Sequence, residues 1–580
     1  MERALEHELI VRTGDHILSP LGMDSAETFG RVLEGRSGLC RYEGLWGIPE
    51  PFVASLLDFG LVDRAFGERF GSGLAEKYTG FERMCLLSAS QAIGEARIDP
   101  SSPRVLFLLS TTKGNVALLE RENALRDEVL PGWSARRIAA FFRNPNDPVV
   151  VSNACTSGLC AQIAAMRALQ SRRCDHAVVI GAERQSKFIV SGFQSFKALS
   201  PEPCRPFDRD RAGLNVGEAA ATIVYSRRRR DEVDPGEWVA CRGAIRNDAN
   251  HISGPSRTGE GCYRALRAIL RDVAPGTLAF INAHGTATPY NDEMESIAID
   301  RAGLAEVPVN GLKGYFGHTM GAAGILETIL SMRSVAPAED FGRAGHDRPG
   351  QLRQDALRVR RMQCGHVVQT GRNAMLTIGR WIRLTPAGAV RDGEPVRLEP
   401  SDDPLLVALY RRYAGGYPKF FKMDPLCRLG FVASELLLDG EAERFTPRED
   451  RAVVLFTRSG SFASDSRYQQ TIADPADYYP SPAVFVYTLA NIVTGEIAIR
   501  NRYLGETSCY LLDGDPVPQM VATVGEAFLD PETRSVLCGW VEHPGGGEAA
   551  ATLFLVGCEE VPGGTAWTEE SVREIMDIQR

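Results

Sequence analysis

A cysteine and two histidines stand at positions in the sequence where side chains can do nucleophilic chemistry. Residues 149–158 read VVVSNACTSG, a short β-branched run that stops at Cys155, and a helical pattern of apolar residues begins at Leu159. A strand that breaks into a helix sets the cysteine sulfur against the helix N-terminus, where peptide dipoles and free N–H groups favour the thiolate. The sequence therefore predicts a nucleophile at Cys155. A small buried cysteine at a strand–helix junction is the alternative.

Two of the nine histidines follow short apolar runs and are flanked by small residues. His284 follows LAFINA, and His318 lies between Gly317 and a helix-like stretch after Met320. A lone histidine at a strand end is more often structural than catalytic, but enzymes place catalytic groups on loops that a rigid scaffold holds. The same setting for one cysteine and two histidines argues against a purely structural role for all three.

Five segments resemble the β-ketoacyl synthases (ketosynthases) of the thiolase superfamily, in the family's order and across roughly residues 8 to 380. NACTSG around Cys155 is similar to the nucleophile motif, and the opening segment beginning GDHILSPLG is similar to the family's N-terminal segment. The remaining three are a signature loop, CRPFDRDRAGLNVGEAAA at 204–221, and two histidine motifs, NAHGTATPYND at 282–292 and LKGYFGHTMGAAGILE at 312–327.

The resemblance implies an elongating ketosynthase, because the initiating class has asparagine where this chain has His318. In elongating enzymes the cysteine carries an acyl chain as a thioester, and the two histidines hydrogen-bond a malonyl thioester while it loses carbon dioxide. Cys155, His284 and His318 would fill these roles. Lys313 and Glu327 match the family's supporting charged pair and would fix histidine orientation and protonation.

Weaker matches extend the site. Thr286 and Thr288 match positions that contact the phosphopantetheine arm, and Phe207 matches the signature loop near the active site; packing and turn roles are the alternative for all three. The family's glycine-rich gating loop is altered here to MQCGHVVQTGRNAML, where Gln369 stands in place of the gating phenylalanine and Gly371 fits the pattern.

Composition excludes several other classes. A net charge of −9 in 580 residues argues against general nucleic-acid binding, and no apolar stretch is long enough to span a bilayer. The 13 cysteines show no CxxC pair, so we expect reduced thiols in the cytoplasm. Cys364 and His366 have no second pair of ligands, so no metal site is expected. The resemblance implies no cofactor, since the substrates travel on the phosphopantetheine arm of acyl carrier protein.

The chain divides into two predicted domains. Residues 1–383 form the ketosynthase domain, a linker rich in Pro, Gly and charge covers 384–404, and 405–580 form a smaller domain. In this smaller domain VVLFTRSGSFASD echoes RVLFLLSTTKGN, and RSVLCGWVE echoes CDHAVVIGAE. Counting from Gly505, the position of the nucleophile falls near Gly514. The second domain is thus predicted to be a non-catalytic copy of half a ketosynthase, with an unrelated α/β domain as the alternative.

The predicted fold class is α/β. The resemblance implies the thiolase fold, with two similar halves stacked in five alternating α and β layers, followed by the additional α/β domain. It also implies acyl carrier protein as a partner, and a homodimer or a heterodimer with another ketosynthase-like chain.

The leading function is an acyltransferase that performs decarboxylative Claisen condensation in fatty-acid or polyketide synthesis. Residues 189–208 are most similar to ketosynthases of the aryl-polyene and flexirubin type. One alternative is a non-condensing partner that shapes a pocket for another ketosynthase, as chain length factors do. Another is a degradative thiolase, although the late cysteine motif of that class is poorly matched at Cys364.

Overall fold

The computed structural model describes residues 8–335, 376–546, 549–559 and 563–577. We call residues 8–335 the N-terminal unit and residues 376–577 the C-terminal unit.

The strands of these residues are short, with the longest spanning 11 residues. In chain order they are β1 Glu8–Leu18, β2 Cys40–Tyr42, β3 Phe52–Ser55, β4 Val105–Ser110, β5 Val149–Val151, β6 His176–Glu183, β7 Val216–Gly217, β8 Ala219–Arg229, β9 Ile281–Asn282, β10 Val309–Asn310, β11 Thr377–Thr385, β12 Gly388–Arg391, β13 Glu394–Pro395, β14 Arg451–Thr457, β15 Thr507–Leu511, β16 Ser535–Glu542, β17 Ala550–Gly557 and β18 Thr565–Ala566.

Helices alternate with many of these strands. The α-helices are α1 Ser25–Leu33, α2 Phe59–Phe70, α3 Ser72–Ala75, α4 Gly80–Ala96, α5 Pro131–Phe141, α6 Ser157–Gln170, α7 Lys187–Ser195, α8 Glu260–Ile269, α9 Pro289–Arg301, α10 Lys313–Phe316, α11 Ala323–Val335, α12 Leu405–Tyr413, α13 Pro425–Leu437, α14 Phe462–Ala473, α15 Pro482–Phe485, α16 Ile492–Asn501, α17 Val517–Ala527 and α18 Glu569–Met576.

One sheet runs through both units. Its strands lie in the order β1-β8-β6-β4-β5-β15-β14-β16-β17-β11-β12-β13, and β18 pairs with β11. In each unit the inner strands are parallel and the outer ones antiparallel: β4 pairs in parallel with β5 and β6, as β14 does with β15 and β16. The predicted α/β class is confirmed.

Both faces of the sheet's centre are covered, which explains its uninterrupted apolar sequences. Every residue of β4 (VLFLLS), β5 (VVV) and β14 (RAVVLFT) is buried. Helix α4 packs on β1, β6 and β8, while α6 and α11 also contact β6 and β8. Parallel strands between helices are buried on both sides and therefore lack the alternation of a half-exposed sheet.

The two units meet where β5 and β15 pair antiparallel, with Val151 opposite Tyr510 and Val150 opposite Leu511. The strand that leads to Cys155 is therefore joined to the C-terminal unit. The resemblance implied that a second chain would pair near the nucleophile, but here a segment of the same chain occupies the edge of β5.

The boundary between the units differs from the predicted one. Strand β11 includes residues placed in the first domain, yet it pairs with β17 of the C-terminal unit. Strands β12 and β13 lie inside the predicted linker, 384–404. The composition that suggested a linker belongs to hairpin turns: Asp392 and Gly393 have φ values of 50° and 90°, as an Asp-Gly hairpin turn requires.

The sequence echoes occupy corresponding places in the sheet. Strands β14 and β16 hold in the C-terminal unit the positions of β4 and β6. Thr111 and Thr457 each accept a hydrogen bond from the N–H of a glycine three residues later. Glu183 accepts from the Thr112 N–H in the turn after β4, and Glu542 accepts from the Arg458 N–H in the turn after β14. These contacts align the units residue by residue.

Among the described residues no single helix is long and apolar enough to cross a bilayer. The bent pair Pro482–Thr488 and Ile492–Asn501, at 96° to each other, meets the length and composition test only when taken together.

Candidate active site

Cys155 lies in a tight turn between β5 and α6. The turn is a single 3₁₀ segment, Ala154–Thr156, and α6 begins at Ser157. Ala154 has φ +50°, a left-handed conformation that costs free energy in a residue with a Cβ atom. The predicted strand–turn–helix junction is present, with a strained residue directly before the cysteine.

The two histidines reach the same place from different elements. His284 follows β9, which pairs in parallel with β10. His318 follows α10, and its backbone N–H donates to the Asn215 carbonyl at 2.6 Å while its carbonyl accepts from the Gly217 N–H at 3.0 Å. These bonds fix His318 to the strand β7 that ends the signature loop.

The structure brings the three predicted residues together. One ligand-type atom from each of Cys155, His284 and His318 lies within 4.8 Å of the other two. The histidine rings are 5.1 Å apart between centroids and inclined by 82°. They belong to segments separated by more than 100 residues from Cys155, so their meeting is a property of the fold.

His318 presents an N–H donor with no partner. Its Nδ1 accepts a hydrogen bond from the Met320 N–H at 3.2 Å, so the ring hydrogen is on Nε2. Nε2 is buried and has no hydrogen-bond partner within the described residues. A buried donor without an acceptor is costly, and a substrate oxygen would satisfy it.

Burial controls the protonation of all three groups. It raises the pKa of Cys155 to about 11, against a smaller lowering by the positive charge of Lys313. Burial, with Lys313 again as a second cause, lowers the pKa of His284 and of His318 well below the usual range. Burial thus opposes the thiolate predicted from the helix N-terminus, and these pKa directions favour a thiol beside two neutral imidazoles.

Lys313 and Glu327 form a buried pair beside the histidines. The Lys313 Nζ donates to Glu327 Oε1 at 2.7 Å and to the His284 carbonyl at 2.5 Å. Asn282 Nδ2 approaches the other Glu327 oxygen at 3.4 Å. The pair thus binds the backbone that carries His284, as the resemblance implied for a supporting role.

Comparison with known proteins agrees with this geometry. The family profile described as "Beta-ketoacyl synthase, N-terminal domain" matches residues 7–230, and "Beta-ketoacyl synthase, C-terminal domain" matches residues 239–337. Together they cover more than half of the chain. The chain belongs to the β-ketoacyl synthase family.

Relatives and a solved structure show how far the likeness extends. The "3-oxoacyl-[acyl-carrier-protein] synthase 2" proteins of Coxiella burnetii and Vibrio cholerae are 28% and 29% identical to it over 372 residues, which are 57% and 56% of this chain and 86% of each relative. A structure titled "PfaC Keto synthase-Chain length factor" has a TM-score of 0.70 and 14% identity over 96% of this chain and 79% of its own. At that identity the likeness concerns the fold alone, and it includes the C-terminal unit. The thiolase-type fold is confirmed.

Two acidic residues that sequence reasoning missed hold the ketosynthase histidines in place. Glu295 of α9 accepts from the N–H groups of His284 and Gly285 at 2.5 and 2.9 Å. Glu183 accepts from the Thr112 N–H at 2.9 Å and from the Gly321 N–H at 3.1 Å. Glu295 lies three residues after the end of the first histidine motif, and no feature of the sequence distinguishes it from the neighbouring acids of α9.

The weaker matches lie around the His284 turn. Thr286 and Thr288 bond to each other through their hydroxyl oxygens at 2.9 Å. The Phe207 ring packs over Gly285, where a Cβ atom would stand 3.1 Å from it. Asp292 joins the two loops by accepting from the N–H groups of Phe207 and Ala287. These positions suit the predicted contact with the phosphopantetheine arm, which stays a prediction.

Other predicted positions lie outside the described residues. They are Gln369 and Gly371 of the altered glycine-rich loop, together with Cys364 and His366.

An apolar cluster next to His318 is shared between the units. Met320 and Phe188 of the N-terminal unit pack with Tyr468 and Phe485 of the C-terminal unit. The Phe485 ring would lie 2.1 Å from a Cβ atom at Gly192, so only glycine fits there. The C-terminal unit therefore contributes side chains to the apolar cluster next to His318.

The three clustered residues could also hold a metal ion by distance alone. The tautomer of His318 argues against it: with a metal on Nε2 the ring hydrogen would lie on Nδ1, where it would face the Met320 N–H.

Proposed function

We propose that the chain catalyses decarboxylative Claisen condensation between an acyl group on Cys155 and a malonyl thioester on acyl carrier protein. The unpartnered Nε2–H of His318 in the Cys155–His284–His318 cluster is the observation that carries this proposal. An intact cluster is what a non-condensing partner protein would not need, so this geometry favours condensation over that alternative.

The first half-reaction loads the enzyme. The Cys155 sulfur attacks the acyl thioester, the new S–C bond replaces the bond to the phosphopantetheine sulfur, and the thiol proton leaves with that sulfur. Because burial raises the pKa of Cys155 to about 11, the proton must move as the attack occurs.

The second half-reaction makes the carbon–carbon bond. The malonyl group loses carbon dioxide, and the resulting enolate oxygen accepts hydrogen bonds from His284 and His318. Neutral imidazoles suit this task, and the lowered pKa of each histidine keeps it neutral. The enolate carbon then attacks the acyl carbonyl, and the Cys155 sulfur leaves and regains a proton. One donor of this kind contributes about 3 to 4 kcal/mol to transition-state stabilisation.

No cofactor is required beyond the phosphopantetheine arm, which the Thr286 and Thr288 hydroxyls would contact. Acyl carrier protein is the proposed partner and the cytoplasm the proposed location. Fatty-acid or polyketide synthesis is the proposed pathway class, with aryl-polyene synthesis as the narrower prediction.

We further propose that the C-terminal unit acts as the non-condensing partner within the same chain. The offset from Glu183 to Glu542, 359 positions, carries Cys155 to Gly514, so no nucleophile stands at the corresponding turn. The same offset carries Arg167 to Glu526. Arg173 binds Glu526 at 3.3 Å across the interface. If two N-terminal units were paired in this arrangement, Arg173 of one would therefore face Arg167 of the other.

Three further ion pairs between the units have a buried cation on the N-terminal unit: Lys113–Asp465 at 2.7 Å, Arg167–Glu506 at 2.7 Å and Arg246–Asp530 at 2.6 Å. The half-exposed pair Arg136–Asp513 at 3.2 Å has the same polarity, whereas the exposed pair Arg458–Asp127 at 2.7 Å has the reverse polarity. This polarity favours pairing of unlike units over pairing of two copies of either one.

Mass spectrometry of the intact protein tests the proposed reaction. Wild type and Cys155→Ala are incubated with acyl-loaded carrier protein, and malonyl-carrier protein is then added. We expect an acyl adduct on wild type only, discharged as a product two carbons longer. His318→Ala should still load but should discharge at least about 100-fold more slowly. If no acyl chain loads wild type, the non-condensing alternative is favoured.

A further inference from the structure

Asn153, two residues before Cys155, connects the nucleophile turn to the C-terminal unit. Its side chain is 4% exposed. The side-chain Oδ1 accepts from the Cys509 N–H at 2.8 Å, and Nδ2 donates to the Thr507 carbonyl at 3.1 Å. Both of these partners are backbone groups of β15, and Nδ2 also donates to the Cys160 sulfur of α6 at 3.4 Å. The side chain thus adds one more rung to the short β5–β15 ladder, beyond the Val151–Tyr510 pair.

The backbone of Asn153 holds the turn itself. Its carbonyl accepts from the Thr156 hydroxyl at 2.8 Å, and its N–H donates to the Ser157 hydroxyl oxygen at 2.8 Å. The Ser157 hydroxyl in turn donates to the Ala154 carbonyl at 2.6 Å. The left-handed Ala154 is therefore flanked by hydrogen bonds that join Asn153 and Ala154 to Thr156 and Ser157. A strained residue persists only where its surroundings over-determine it.

The side chain in this contact comes from the N-terminal unit, and the C-terminal unit supplies only backbone groups. The offset of 359 positions that relates Glu183 to Glu542 makes Leu512 the counterpart of Asn153 in the C-terminal unit. Leucine cannot hydrogen-bond, so the C-terminal unit sends no equivalent side chain into β5. The turn that carries Cys155 therefore makes this side-chain contact across the interface, and the corresponding turn of the C-terminal unit does not.

We propose that Asn153 is a positioning residue through which β15 of the C-terminal unit fixes the geometry of Cys155. Docking of the C-terminal unit and reactivity of the nucleophile are coupled at this one side chain. The inference rests on the proposed role of Cys155 as the acylated residue.

Removing the side chain should separate two kinds of reactivity. In Asn153→Ala the Cys509 N–H and Thr507 carbonyl lose their partner, so the turn keeps its own backbone hydrogen bonds but is no longer tied by this side chain to β15. Cys155 then loses its alignment with the histidines and part of its burial. We expect acylation by the carrier-bound substrate to slow at least tenfold, with the carrier concentration at half-maximal rate unchanged. Alkylation of Cys155 by iodoacetamide at neutral pH should become faster, because reduced burial lowers the thiol pKa.

Two further variants make the test specific. Asn153→Ser keeps a hydroxyl that can replace one of the two bonds, so its rates should fall between those of wild type and Asn153→Ala. Asp465→Asn removes the charge that pairs with Lys113 at another point of the same interface. It should lower the melting temperature while leaving the acylation and alkylation rates within twofold of wild type.

The experiment measures three quantities on the full chain: melting temperature, single-turnover acylation against carrier concentration, and alkylation of Cys155 against pH by peptide mass. If Asn153→Ala acylates within twofold of wild type, or Asp465→Asn slows acylation equally, the inference is overturned. If wild type itself fails to acylate, the proposed function fails. The inference is then still decided by whether alkylation changes in the Asn153 variants alone.

Discussion

At the scale of single residues, Cys155 is governed by opposing effects of burial and charge. Lys313 favours the thiolate, whereas burial together with Glu183 and Glu327 disfavours it, and the pKa rises to about 11. The neighbouring histidines are kept neutral by the same burial. At neutral pH a cysteine with such a pKa is mostly thiol, which is a poorer nucleophile toward alkylating agents than the thiolate.

The reactivity of Cys155 should therefore depend steeply on pH. Between about pH 7 and about pH 9.5 we expect its alkylation rate to rise about tenfold per unit, because the thiolate fraction of a group with a pKa of about 11 grows in that proportion. Peptide mass spectrometry after timed iodoacetamide treatment measures the rate, with a tryptic peptide from denatured protein as the reference. A plateau starting below pH 8 would show that the thiolate is already formed in the free protein.

At the scale of secondary-structure elements, β6 and β16 each end in a glutamate that accepts hydrogen bonds from backbone N–H groups. Glu183 accepts from the Thr112 N–H after β4, and Glu542 accepts from the Arg458 N–H at 2.7 Å after β14. Each carboxylate thus accepts hydrogen bonds from N–H groups in the turn after the neighbouring strand and fixes the shape of that turn. Only Glu183 also accepts from the Gly321 N–H, which lies between His318 and α11.

Glu183→Gln and Glu542→Gln form a matched pair. Each should lower stability by about 2 kcal/mol, because an amide offers one acceptor oxygen where the carboxylate offers two. We expect both to reduce the melting temperature, measured by differential scanning fluorimetry. Glu183→Gln should also slow condensation, whereas Glu542→Gln should leave the rate within twofold of wild type. Equal rate losses in the two variants would contradict this division of roles.

At the scale of the whole molecule, the chain contains a pseudo-symmetric pair of units joined by a continuous sheet. Counted outward from β5, the strands are β4, β6, β8 and β1, and counted outward from β15 their counterparts are β14, β16, β17 and β11. The charges break this symmetry, since buried cations of the N-terminal unit meet acids of the C-terminal unit. The interface thereby distinguishes the two units although their backbones are alike.

Inverting one charge should expose this selectivity. Glu526→Arg gives the C-terminal unit the charge that Arg167 has in the N-terminal unit, and it places a third cation beside Arg173 and Arg167. We expect a loss of about 3 to 5 kcal/mol, against about 1 to 2 kcal/mol for Glu526→Gln. Adding Arg173→Glu to Glu526→Arg should recover part of the loss. Chemical denaturation of the four proteins measures this, and equal stability of the Gln and Arg variants would refute the charge argument.

The sequence by itself determined the class of the fold and the candidate residues of the site. Cys155, His284 and His318 were identified because each follows a short apolar run and lies in a motif, and both features are local in the chain. The echo between β4 and β14 was visible for the same reason, since buried parallel strands have similar sequences. Local composition misled at 384–404, where turn residues were assigned to a linker although they close hairpins at the sheet edge.

Only the tertiary structure decided what depends on contacts between distant segments. The raised pKa of Cys155 follows from burial that no motif encodes, and it opposes the effect expected from the helix N-terminus. Glu295 and Asn153 acquire their roles from backbone groups elsewhere in the fold, 10 to 356 residues away. The pairing of β5 with β15 is likewise a long-range choice, because a strand edge offers the same hydrogen bonds to any partner and only packing and charge select which one it receives.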